Sequence, residues 1–329
     1  MTSAPVFLAG IERSGTSLMY ALLASHPRIA MTRRTNLWTY FYKRYGDLTV
    51  RENFEDCLAM MMRYKRLRVL QPDPERIRRE FWEGEPTYAR LFALLEEHYA
   101  ERLGKPRWGD KSLNTERYVD SIFAAYPGAK VIHMVRDPRD RYASSRSRWK
   151  QMKGMAGAGT AIWLMSVDLA RQNQRRYPER YKIVRYETLT AQPEAALREI
   201  CTFIGEEYAP EMLGMEGAPR LLEKGSNSSY GRREAGVIST DSIARYRKVL
   251  SMPEIAFIQS KAGKKMLALD YPLDPIEFSF QERLAYLFLH WPVNRLRMAA
   301  WSAKERVLNI KGRSLPSRRL VQEIPALQA

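Results

Sequence analysis

The sequence predicts an α/β protein in which a central parallel sheet is flanked by helices on both faces. Three short apolar runs indicate buried strands: PVFLAG near the N-terminus, AKVIHMV at 129–135 and YKIVRYE at 181–187. Each run is followed by a stretch with the spacing of a helix. Strands that alternate with helices in this way form three-layered folds around a parallel sheet.

The segments between the strands carry helix signals. TSLMYALLASHP has apolar residues at helical spacing and stops before Pro27, so it is predicted as the helix after the first strand. PEAALREICTFIG, after the third strand, ends at Gly205, which suits a left-handed helix cap. Residues 36–105 combine aromatic residues and Arg with helical periodicity. We expect them to form a helical insertion over the carboxyl edge of the sheet, where ligands bind in such folds.

Two further stretches depart from this alternation. GMAGAGT, Gly154–Thr160, is predicted as a mobile loop of small residues. After about Ile276 the composition changes, so the chain divides into a domain at 1–275 and a basic C-terminal extension at 276–329. Between Arg283 and Arg319 the extension has nine Lys or Arg and one acid among Leu, Trp and Phe side chains.

The composition of the extension fits an amphipathic basic helix that lies on an anionic membrane surface. The alternative is a helix pair that packs on the domain, or on a second subunit in a homodimer. Pro292 is expected to break or kink whatever helix forms there.

The overall composition limits the kinds of site that the chain can build. Cys57 and Cys201 are far apart in sequence, so neither a structural disulfide nor a thiol metal site is expected. Four histidines without an H-x-x-x-H pair predict no metal centre. No apolar run is long enough to span a membrane, and the first run has no basic leader. These features predict a cytoplasmic protein.

The formal net charge is +17, so the partners should be anionic. Nucleic acid, an anionic membrane surface and phosphorylated or sulfated small molecules all satisfy that condition. The alternative is a basic surface that is merely solvated.

The stretch GIERSGTS, from Gly10 to Ser17, nearly spells the phosphate-binding pattern G-x-x-x-x-G-K-[ST], but Thr16 stands where Lys is required. A glycine turn between strand and helix points backbone N–H groups at one spot, and the helix N-terminus adds partial positive charge. Ser14 adds a hydroxyl and Arg13 a forked cation. The pattern predicts a P-loop-like site for a terminal phosphate or a similar tetrahedral anion. The alternative is an ordinary strand–helix turn.

A second charged cluster follows the second predicted strand. Arg136 and Asp137 come directly after AKVIHMV, and Arg139 follows Pro138. Because the acid is flanked by Arg, the cluster indicates an anion receptor rather than a magnesium ligand. Alternatively, Arg136 only pairs with Asp137 or Asp140.

Together these segments resemble the sulfotransferases that use 3′-phosphoadenosine-5′-phosphosulfate (PAPS). PVFLAGIERSGTSLMYALLASHP resembles their 5′-phosphosulfate loop, and AKVIHMVRDPRDRYASSRSRW resembles their 3′-phosphate segment. RWGDKSLNT and YKIVRYETLTAQPEAALREICTFIG resemble two further blocks in the same order. The resemblance covers roughly residues 4–272 and is strongest to the bacterial branch that is similar to tyrosylprotein sulfotransferases. It implies a P-loop NTPase-like fold, PAPS as co-substrate, no metal and no nucleic-acid partner.

The resemblance also implies roles for single residues. The residues that match the 5′-phosphate loop are Arg13, Ser14, Gly15, Thr16 and Ser17. Arg136 and Ser144 match the two positions that hold the 3′-phosphate. Arg148, one helical turn beyond Ser144, lies on the same helix face and adds charge. Each of these side chains also has a structural alternative, as an ion-pair partner or a surface residue.

Three more assignments follow from the resemblance. Tyr186, after the third strand, matches a position that contacts the nucleotide. The segment GVISTDSIARYRK is expected to close over the nucleotide, with Ser239 and Arg245 as candidates. Lys111, in GDKSLN, matches a lysine that faces the transferring group. Its implied role, shared with Arg13, is to stabilise charge on the leaving group; the alternative is an exposed lysine paired with the preceding acid.

The general base is the point where the sequence departs from the family pattern. In the tyrosylprotein branch a Glu lies in a stretch like SHPRIAMTRRTNLW, and that position is Arg34 here. Asp110, Glu12 and Glu85 are the alternative bases. The adjacent pair of Arg33 and Arg34 also suggests an acceptor that carries phosphate or carboxylate.

We therefore expect an enzyme that transfers a sulfuryl group from PAPS to a hydroxyl on a glycan, a glycolipid or a small molecule. The rival functions are an ATP-dependent kinase, a protein-tyrosine sulfotransferase and a non-catalytic module that binds polyanions or membranes. The basic extension would place the enzyme near the inner membrane face.

Overall fold

The computed structural model describes residues 4–218 and 237–311, together with Pro316, Leu320 and Val321. Its centre is a five-stranded parallel sheet with the strand order β2-β3-β1-β4-β5. The strands are β1 (Val6–Ala9), β2 (Ile29–Arg33), β3 (Arg107–Lys111), β4 (Lys130–Val135) and β5 (Tyr181–Arg185). The predicted α/β class with helices on both faces of a parallel sheet is confirmed.

Helices connect and cover the strands. They are α1 (Thr16–Ala24), α2 (Leu37–Tyr40), α3 (Arg51–Arg63), α4 (Pro74–Trp82), α5 (Tyr88–Arg102), α6 (Val119–Ala125), α7 (Pro138–Arg148), α8 (Ala156–Arg176), α9 (Tyr186–Ala191), α10 (Pro193–Ile204), α11 (Glu211–Gly214), α12 (Tyr246–Val249), α13 (Met252–Leu267), α14 (Phe280–Ala285) and α15 (Trp291–Lys311). Short 3₁₀ turns lie at Lys65–Leu70, Thr115–Arg117 and Lys150–Met152.

The central strand β1 is buried on both faces, as its uninterrupted apolar run predicts. Val6 and Leu8 belong to the apolar cluster that α1 and α10 form on one face of the sheet. Phe7 and Ala9 point into a separate cluster on the other face, which is built largely by α3 to α6. Gly205 ends α10 in a left-handed conformation, with φ of 76°, as predicted.

The order of the strands puts the site at the middle of the sheet. The chain leaves β1 towards β2 and β3 on one side and later reaches β4 and β5 on the other. The loops after β1 and β4 therefore meet at a switch point of the topology, the place where open α/β sheets bind ligands. These loops are the glycine turn and the segment that begins at Arg136.

Two of the five strands lack the apolar runs that marked the others. β3 has the sequence RWGDK, yet all of its residues are buried. Its polar side chains are tolerated there because they have partners: Arg107 forms an ion pair with Glu206 at 3.0 Å, and Asp110 accepts hydrogen bonds from hydroxyl groups. β2 pairs with β3 in parallel register and completes that edge.

The long stretch between β2 and β3 is helical, as predicted. α2 to α5 and one 3₁₀ turn occupy it. α5 packs against β2 and β3 on the face of the sheet, so it serves as the crossover helix between the two strands. The boundaries of 1–275 for the main domain and of 36–105 for the insertion stay an interpretation.

The prediction of a mobile loop at Gly154–Thr160 is wrong. Residues from Ala156 onwards form the first turns of α8, and Ala156 to Ala161 are buried. Small residues occur here because another helix passes very close: a Cβ atom on Gly157 would overlap the backbone carbonyl of Asn294. Tight helix packing, rather than chain mobility, explains the composition.

The C-terminal extension is helical and packs on α8. α14 continues through a π turn at Tyr286–His290 into α15, so Pro292 does not break the helix. Asn294 accepts a hydrogen bond from the N–H of Gly157 at 2.9 Å, and Glu305 pairs with Arg117 at 2.6 Å. The rest of the predicted extension, at 312–315, 317–319 and 322–329, lies outside the described residues. Within the described part of the chain, no helix is both long and apolar enough to cross a membrane.

Candidate active site

The glycine loop joins β1 to α1 at the carboxyl edge of the sheet. Gly10 and Gly15 have φ values of 119° and 92°, and Arg13 between them is also left-handed, with φ of 70°. A Cβ atom on Gly10 would lie 2.6 Å from the Met134 carbonyl, and one on Gly15 would lie 2.5 Å from the ring of Tyr186. Only glycine fits either position without strain, so the loop is held close to β4 and α9.

The loop presents donors that the protein itself does not use. The N-cap of α1, Gly15, has no side chain to satisfy the first N–H groups, and no acid lies in the first turn. Ser14 is fully buried, and its hydroxyl has no hydrogen-bond partner among the described residues. Thr16 is buried and Ser17 half-buried in the first turn of α1. An anion at the helix N-terminus would satisfy these groups.

Arg136 follows β4 and lies beside the glycine loop. One of its Nη atoms donates to the carbonyl of Arg13 at 3.3 Å, and the other donates to the carbonyl of Ser242 at 2.8 Å. Its guanidinium carbon lies 4.5 Å from the centre of the Tyr186 ring. The Nε atom is buried and has no partner among the described residues. The cation is therefore oriented by backbone and aromatic contacts, and one donor is left over.

The structure joins the two predicted phosphate positions directly. Arg13 Nε donates to Ser144 Oγ at 2.8 Å, across 131 residues of sequence. Ser144 is fully buried in α7. Ser145 also lies in α7, but its hydroxyl donates to the carbonyl of Arg141 at 3.1 Å and so is occupied by the helix itself.

The acids near Arg136 have other partners, which argues against a simple ion pair. Asp137 accepts two hydrogen bonds from the guanidinium of Arg139, at 3.0 and 2.7 Å. Asp140 accepts the backbone N–H groups of Ala244 and Tyr246, at 2.7 and 2.8 Å. Asp140 thereby fixes residues 244–246 of the segment GVISTDSIARYRK, next to the Ser242 carbonyl that Arg136 contacts. Of the two candidates in that segment, Ser239 accepts a hydrogen bond from the N–H of Asp241 at 3.1 Å, and Arg245 directly precedes α12.

Arg141 is a site residue that the sequence analysis missed. It is buried in α7, one turn before Ser144, and its Nε donates to the carbonyl of Glu12 at 3.1 Å. Burial lowers the pKa of Arg141 to about 10. The helical spacing of Arg141, Ser144 and Arg148 was the available signal. A buried cation against the backbone of the loop adds to its positive potential.

Lys111 ends β3 and lies next to β1, beside the start of the glycine loop. It is 6 % exposed, so the alternative of an exposed lysine paired with Asp110 is wrong. Burial and then the charge of Arg34 lower the pKa of Lys111 to about 8, against the opposing effects of Glu12 and Asp110. The amine is a cation held in a site that penalises its charge, which an anionic ligand would relieve.

More cations lie beyond Lys111. Arg34 has a left-handed backbone, with φ of 58°, and its carbonyl accepts a hydrogen bond from Arg66 at 3.0 Å. Burial and the charges of Arg33, Arg66 and Arg148 lower the pKa of Arg34, while Glu12 raises it. Arg148 is exposed at the end of α7. The Arg34 cluster, defined as Arg33, Arg34, Arg66 and Arg148, is thus a concentration of like charge beside Lys111.

The three alternative bases lie in very different surroundings. Asp110 is fully buried, and one of its oxygens accepts hydrogen bonds from the hydroxyls of Thr35 at 2.7 Å, Thr32 at 3.0 Å and Ser112 at 3.1 Å. This oxygen holds the turn after β2 against the end of β3, while the other carboxylate oxygen is buried with no hydrogen-bond partner among the described residues. Glu85 is exposed in the loop between α4 and α5. Glu12 is exposed in the glycine loop, and its charge raises the pKa of both Lys111 and Arg34.

The parallel sheet and the glycine loop after β1 are features of a nucleotide-binding α/β protein, and a family model identifies which kind. Residues 5–210 match the model of the Sulfotransferase family. The match covers more than half of the chain, and the chain belongs to that family.

Solved structures support the same conclusion for the fold. The sulfotransferase domain of the olefin synthase from Synechococcus PCC 7002 is 21 % identical, with a TM-score of 0.57 over 83 % of this chain and 97 % of that one. The sulfotransferase domain from the curacin biosynthetic pathway is 19 % identical, with a TM-score of 0.56 over 83 % of this chain and 99 % of that one. At such identities these likenesses show a shared fold.

Two curated proteins are similar in sequence. Nodulation protein NoeE of Sinorhizobium fredii (strain NBRC 101917 / NGR234) is 25 % identical over 289 residues, which is 79 % of this chain and 64 % of that protein. An uncharacterized protein of Aquifex aeolicus (strain VF5) is 24 % identical over 267 residues, which is 78 % of this chain and 32 % of that protein. The chain therefore spans about two thirds of one relative and about one third of the other.

Proposed function

We propose that the chain transfers a sulfuryl group from PAPS to a hydroxyl on a glycan, a glycolipid or a small molecule that itself carries an anionic group. Family membership supports sulfuryl transfer in general. The identity of the donor is supported by the two adjoining sets of anion-binding groups, one at the glycine loop and one at Arg136 and Ser144. PAPS has two anionic ends, so it needs two such sets.

The residues present fit PAPS. The unpartnered hydroxyl of Ser14 and the unsatisfied N-terminus of α1 suit the 5′ end, and the spare Nε donor of Arg136 suits the 3′-phosphate. Ser144 and Arg13 link the two ends. Tyr186 packs on both Gly15 and Arg136, which places an aromatic ring between the two sets. The buried hydroxyl of Ser14 is the single observation that best supports the proposal. A buried donor without a partner is unfavourable unless a ligand uses it.

PAPS supplies an activated sulfuryl group whose transfer releases the nucleotide 5′-phosphate. The acceptor oxygen attacks sulfur, the bond from sulfur to the phosphate oxygen breaks, and the acceptor loses its proton. In this scheme Lys111 and Arg13 stabilise the charge that grows on the phosphate oxygen. A lysine whose pKa is about 8 also donates a proton to that oxygen more readily than an ordinary lysine.

Glu12 is the base we propose for the acceptor proton. It is exposed in the loop that binds the donor, and its charge acts on both Lys111 and Arg34. One oxygen of Asp110 accepts hydrogen bonds from three hydroxyl groups, and Glu85 is exposed in the loop between α4 and α5. In this scheme the Glu12 carboxylate accepts the proton of the acceptor hydroxyl, while the donors of the loop hold the anion.

The Arg34 cluster suggests the nature of the acceptor. Burial and then the charges of Arg33, Arg66 and Arg148 lower the pKa of Arg34, so the charges of this cluster oppose one another. A phosphate or carboxylate on the acceptor would relieve that repulsion and would bring the hydroxyl to the donor with a fixed orientation. A neutral acceptor would leave the repulsion in place.

A nucleotide titration tests the donor. We expect the full chain to bind 3′-phosphoadenosine-5′-phosphate in the presence of EDTA, and Arg136→Ala to weaken binding by about ten-fold or more. Ser145→Ala is the matched control, since its hydroxyl is already used within α7. Preferential binding of Mg·ATP, or binding that Arg136→Ala leaves unchanged, would contradict the proposal and favour a kinase or a simple polyanion-binding module.

A separate assay tests the acceptor. Sulfate-labelled PAPS is offered with pairs of hydroxyl acceptors that differ only in one phosphate or carboxylate. We expect the anionic member to be labelled faster, and Arg34→Gln to raise its KM about ten-fold while the KM of the neutral member stays unchanged. Equal labelling of both members would remove the anionic-acceptor claim and leave the donor assignment intact.

A further inference from the structure

The C-terminal helix carries a row of apolar side chains on its outer face. We define the outer stripe as Phe280, Leu284, Phe288, Leu296 and Val307, all of which are exposed. Phe280, Leu284 and Phe288 follow one another at intervals of four residues, so each lies beside the next on the helix surface. The same segment also exposes Leu287, Leu289 and Val293. From Phe280 to Val307 the stripe extends over roughly 40 Å of helix.

The exposure within the stripe is unusually high. Phe280 is 77 %, Phe288 79 % and Leu296 72 % exposed. Elsewhere on the described surface, exposed large apolar residues such as Val50, Val69 and Leu103 are far apart in the sequence. Scattered apolar residues are normal on a protein surface, whereas a contiguous row indicates a contact with another surface.

The inner face of the same helix is already docked, so the stripe is not a core face awaiting its own domain. Asn294 is buried and receives the N–H of Gly157, and Tyr286 packs in an apolar cluster with Phe257. Arg117 forms an ion pair with Glu305 at 2.6 Å. These contacts determine the rotation of the helix about its axis and keep the stripe turned outwards.

Basic residues accompany the stripe. Arg283, Arg295, Lys304 and Arg306 are exposed on the same helix. Of the two acids on this helix, Glu305 pairs with Arg117, and Glu282 accepts hydrogen bonds from Ser279 at the N-terminal cap and keeps its negative charge beside Arg283. The surface around the stripe therefore has a positive charge with little local compensation.

The charge decides between the two surfaces that could cover the stripe. A second copy of the chain would bring the same basic residues, and a net charge of +17, against the first. Anionic lipid headgroups would instead attract the basic residues while the apolar side chains enter the boundary of the acyl chains. We propose that α14 and α15 form an interfacial helix that binds an anionic lipid surface.

Binding of α14 and α15 to lipid would bring the rest of the enzyme to the membrane surface. Arg297 of α15 donates to the carbonyl of Gly154, in the segment between α7 and α8, and α7 ends at Arg148. The segment that α15 contacts therefore joins α7, which ends at Arg148, to α8. This arrangement suits acceptors that are themselves presented at a membrane.

Flotation of the full chain with vesicles tests the proposal. One set of vesicles contains phosphatidylglycerol and phosphatidylcholine, and the other contains phosphatidylcholine alone. We expect binding to the first set only, and a loss of at least about ten-fold when Phe288→Ser and Leu296→Ser are combined. Val69→Ser with Leu103→Ser removes exposed apolar side chains elsewhere and should bind as the unchanged protein does.

A charge-reversal variant tests whether the basic residues of the helix contribute to binding of anionic lipid. Arg295→Glu with Lys304→Glu should weaken binding to the anionic vesicles by an order of magnitude or more, and raising the salt concentration should have a similar effect. Binding that survives both the serine and the glutamate pairs would overturn the proposal. So would the absence of vesicle binding, or a dimer in light scattering that Phe288→Ser with Leu296→Ser converts to a monomer.

Discussion

Arg13 and Ser144 are joined by a 2.8 Å hydrogen bond from the guanidinium Nε to the hydroxyl oxygen. The bond connects the glycine loop after β1 with the helix after β4. Under the proposed assignment the two residues serve opposite ends of the same nucleotide, so this hydrogen bond would join the two proposed anion sites. Changes at either residue should therefore be felt at both ends of the ligand.

The first prediction concerns this coupling. Ser144→Ala and Arg13→Gln should each weaken the binding of 3′-phosphoadenosine-5′-phosphate, and the double variant should lose less than the sum of the two. We expect a coupling energy of about 1–2 kcal/mol in a double-mutant cycle measured by calorimetry. Strictly additive losses would mean that the hydrogen bond does not act in the nucleotide complex. Ser145→Ala again serves as the control.

The second prediction separates stability from binding at Ser14. Its hydroxyl is buried without a partner among the described residues, so Ser14→Ala should leave the melting temperature of the free protein unchanged or raise it. The same change should weaken nucleotide binding about five- to ten-fold, because it removes a donor to the anion. A fall in melting temperature without a fall in affinity would indicate a structural role instead.

The third prediction is a pH dependence set by Lys111. Since the pKa of this lysine in the free protein is lowered to about 8, the fraction that is charged falls as the pH rises through that value. The kcat/KM for PAPS should therefore decline above about pH 8.

A substitution identifies the group that causes this decline. Lys111→Arg stays charged at higher pH, so it should move the decline upwards whatever its effect on the maximum rate. Lys111→Met should lower the rate about a hundred-fold below pH 8 and should abolish the decline above it. A decline that stays at the same pH in Lys111→Arg would show that another group titrates.

The fourth prediction concerns acid stability and His133. This histidine is fully buried in β4, where it is hydrogen-bonded to the hydroxyls of Tyr181 at 2.6 Å and Ser166 at 3.1 Å. Burial lowers its pKa from 6.5 to about 3. Between about pH 6.5 and pH 3 the unfolded chain therefore binds a proton at this histidine that the folded protein does not bind. The free energy of unfolding consequently falls as the pH drops below about 6.5.

The size of the effect can be measured against a variant. His133 should contribute about 1.4 kcal/mol of destabilisation for each pH unit between roughly 6 and 4. Urea unfolding of His133→Asn over the same range should show a shallower slope, although its stability at neutral pH will be lower. Equal slopes for the two proteins would show that the histidine does not carry the dependence.

The fifth prediction tests the docking of the C-terminal helix. A Cβ atom on Gly157 would overlap the carbonyl of Asn294, so Gly157→Ala should separate α8 from α15 and cost about 2 kcal/mol or more. Hydrogen exchange should increase in α15 before it increases in β1. Gly214→Ala is the control, because the nearest atom to its Cβ would lie at an ordinary 3.7 Å. Unchanged exchange in Gly157→Ala would contradict the observed packing.

The sequence by itself determined the parts of the protein that depend on neighbouring residues. The strand, glycine turn and helix around Gly10 to Ser17 and the Arg136 segment are each continuous in the chain, and their spacing is legible without a structure. The family and the parallel α/β fold followed from the order of those segments. The roles assigned to Ser144, Tyr186 and Lys111 remain predictions, although the structure places the first two beside the glycine loop and Lys111 at its start.

Only the tertiary structure decided what depends on contacts between distant residues. β3 has few apolar residues, and its burial is possible because Glu206 and the hydroxyls after β2 satisfy Arg107 and Asp110. The sequence around Gly157 predicts a mobile loop, whereas the structure packs Asn294, 137 residues later, against it. The outward direction of Phe288 likewise depends on which face of its helix is docked. Burial and charge pairing across such separations are properties of the packed fold, and local sequence patterns do not contain them.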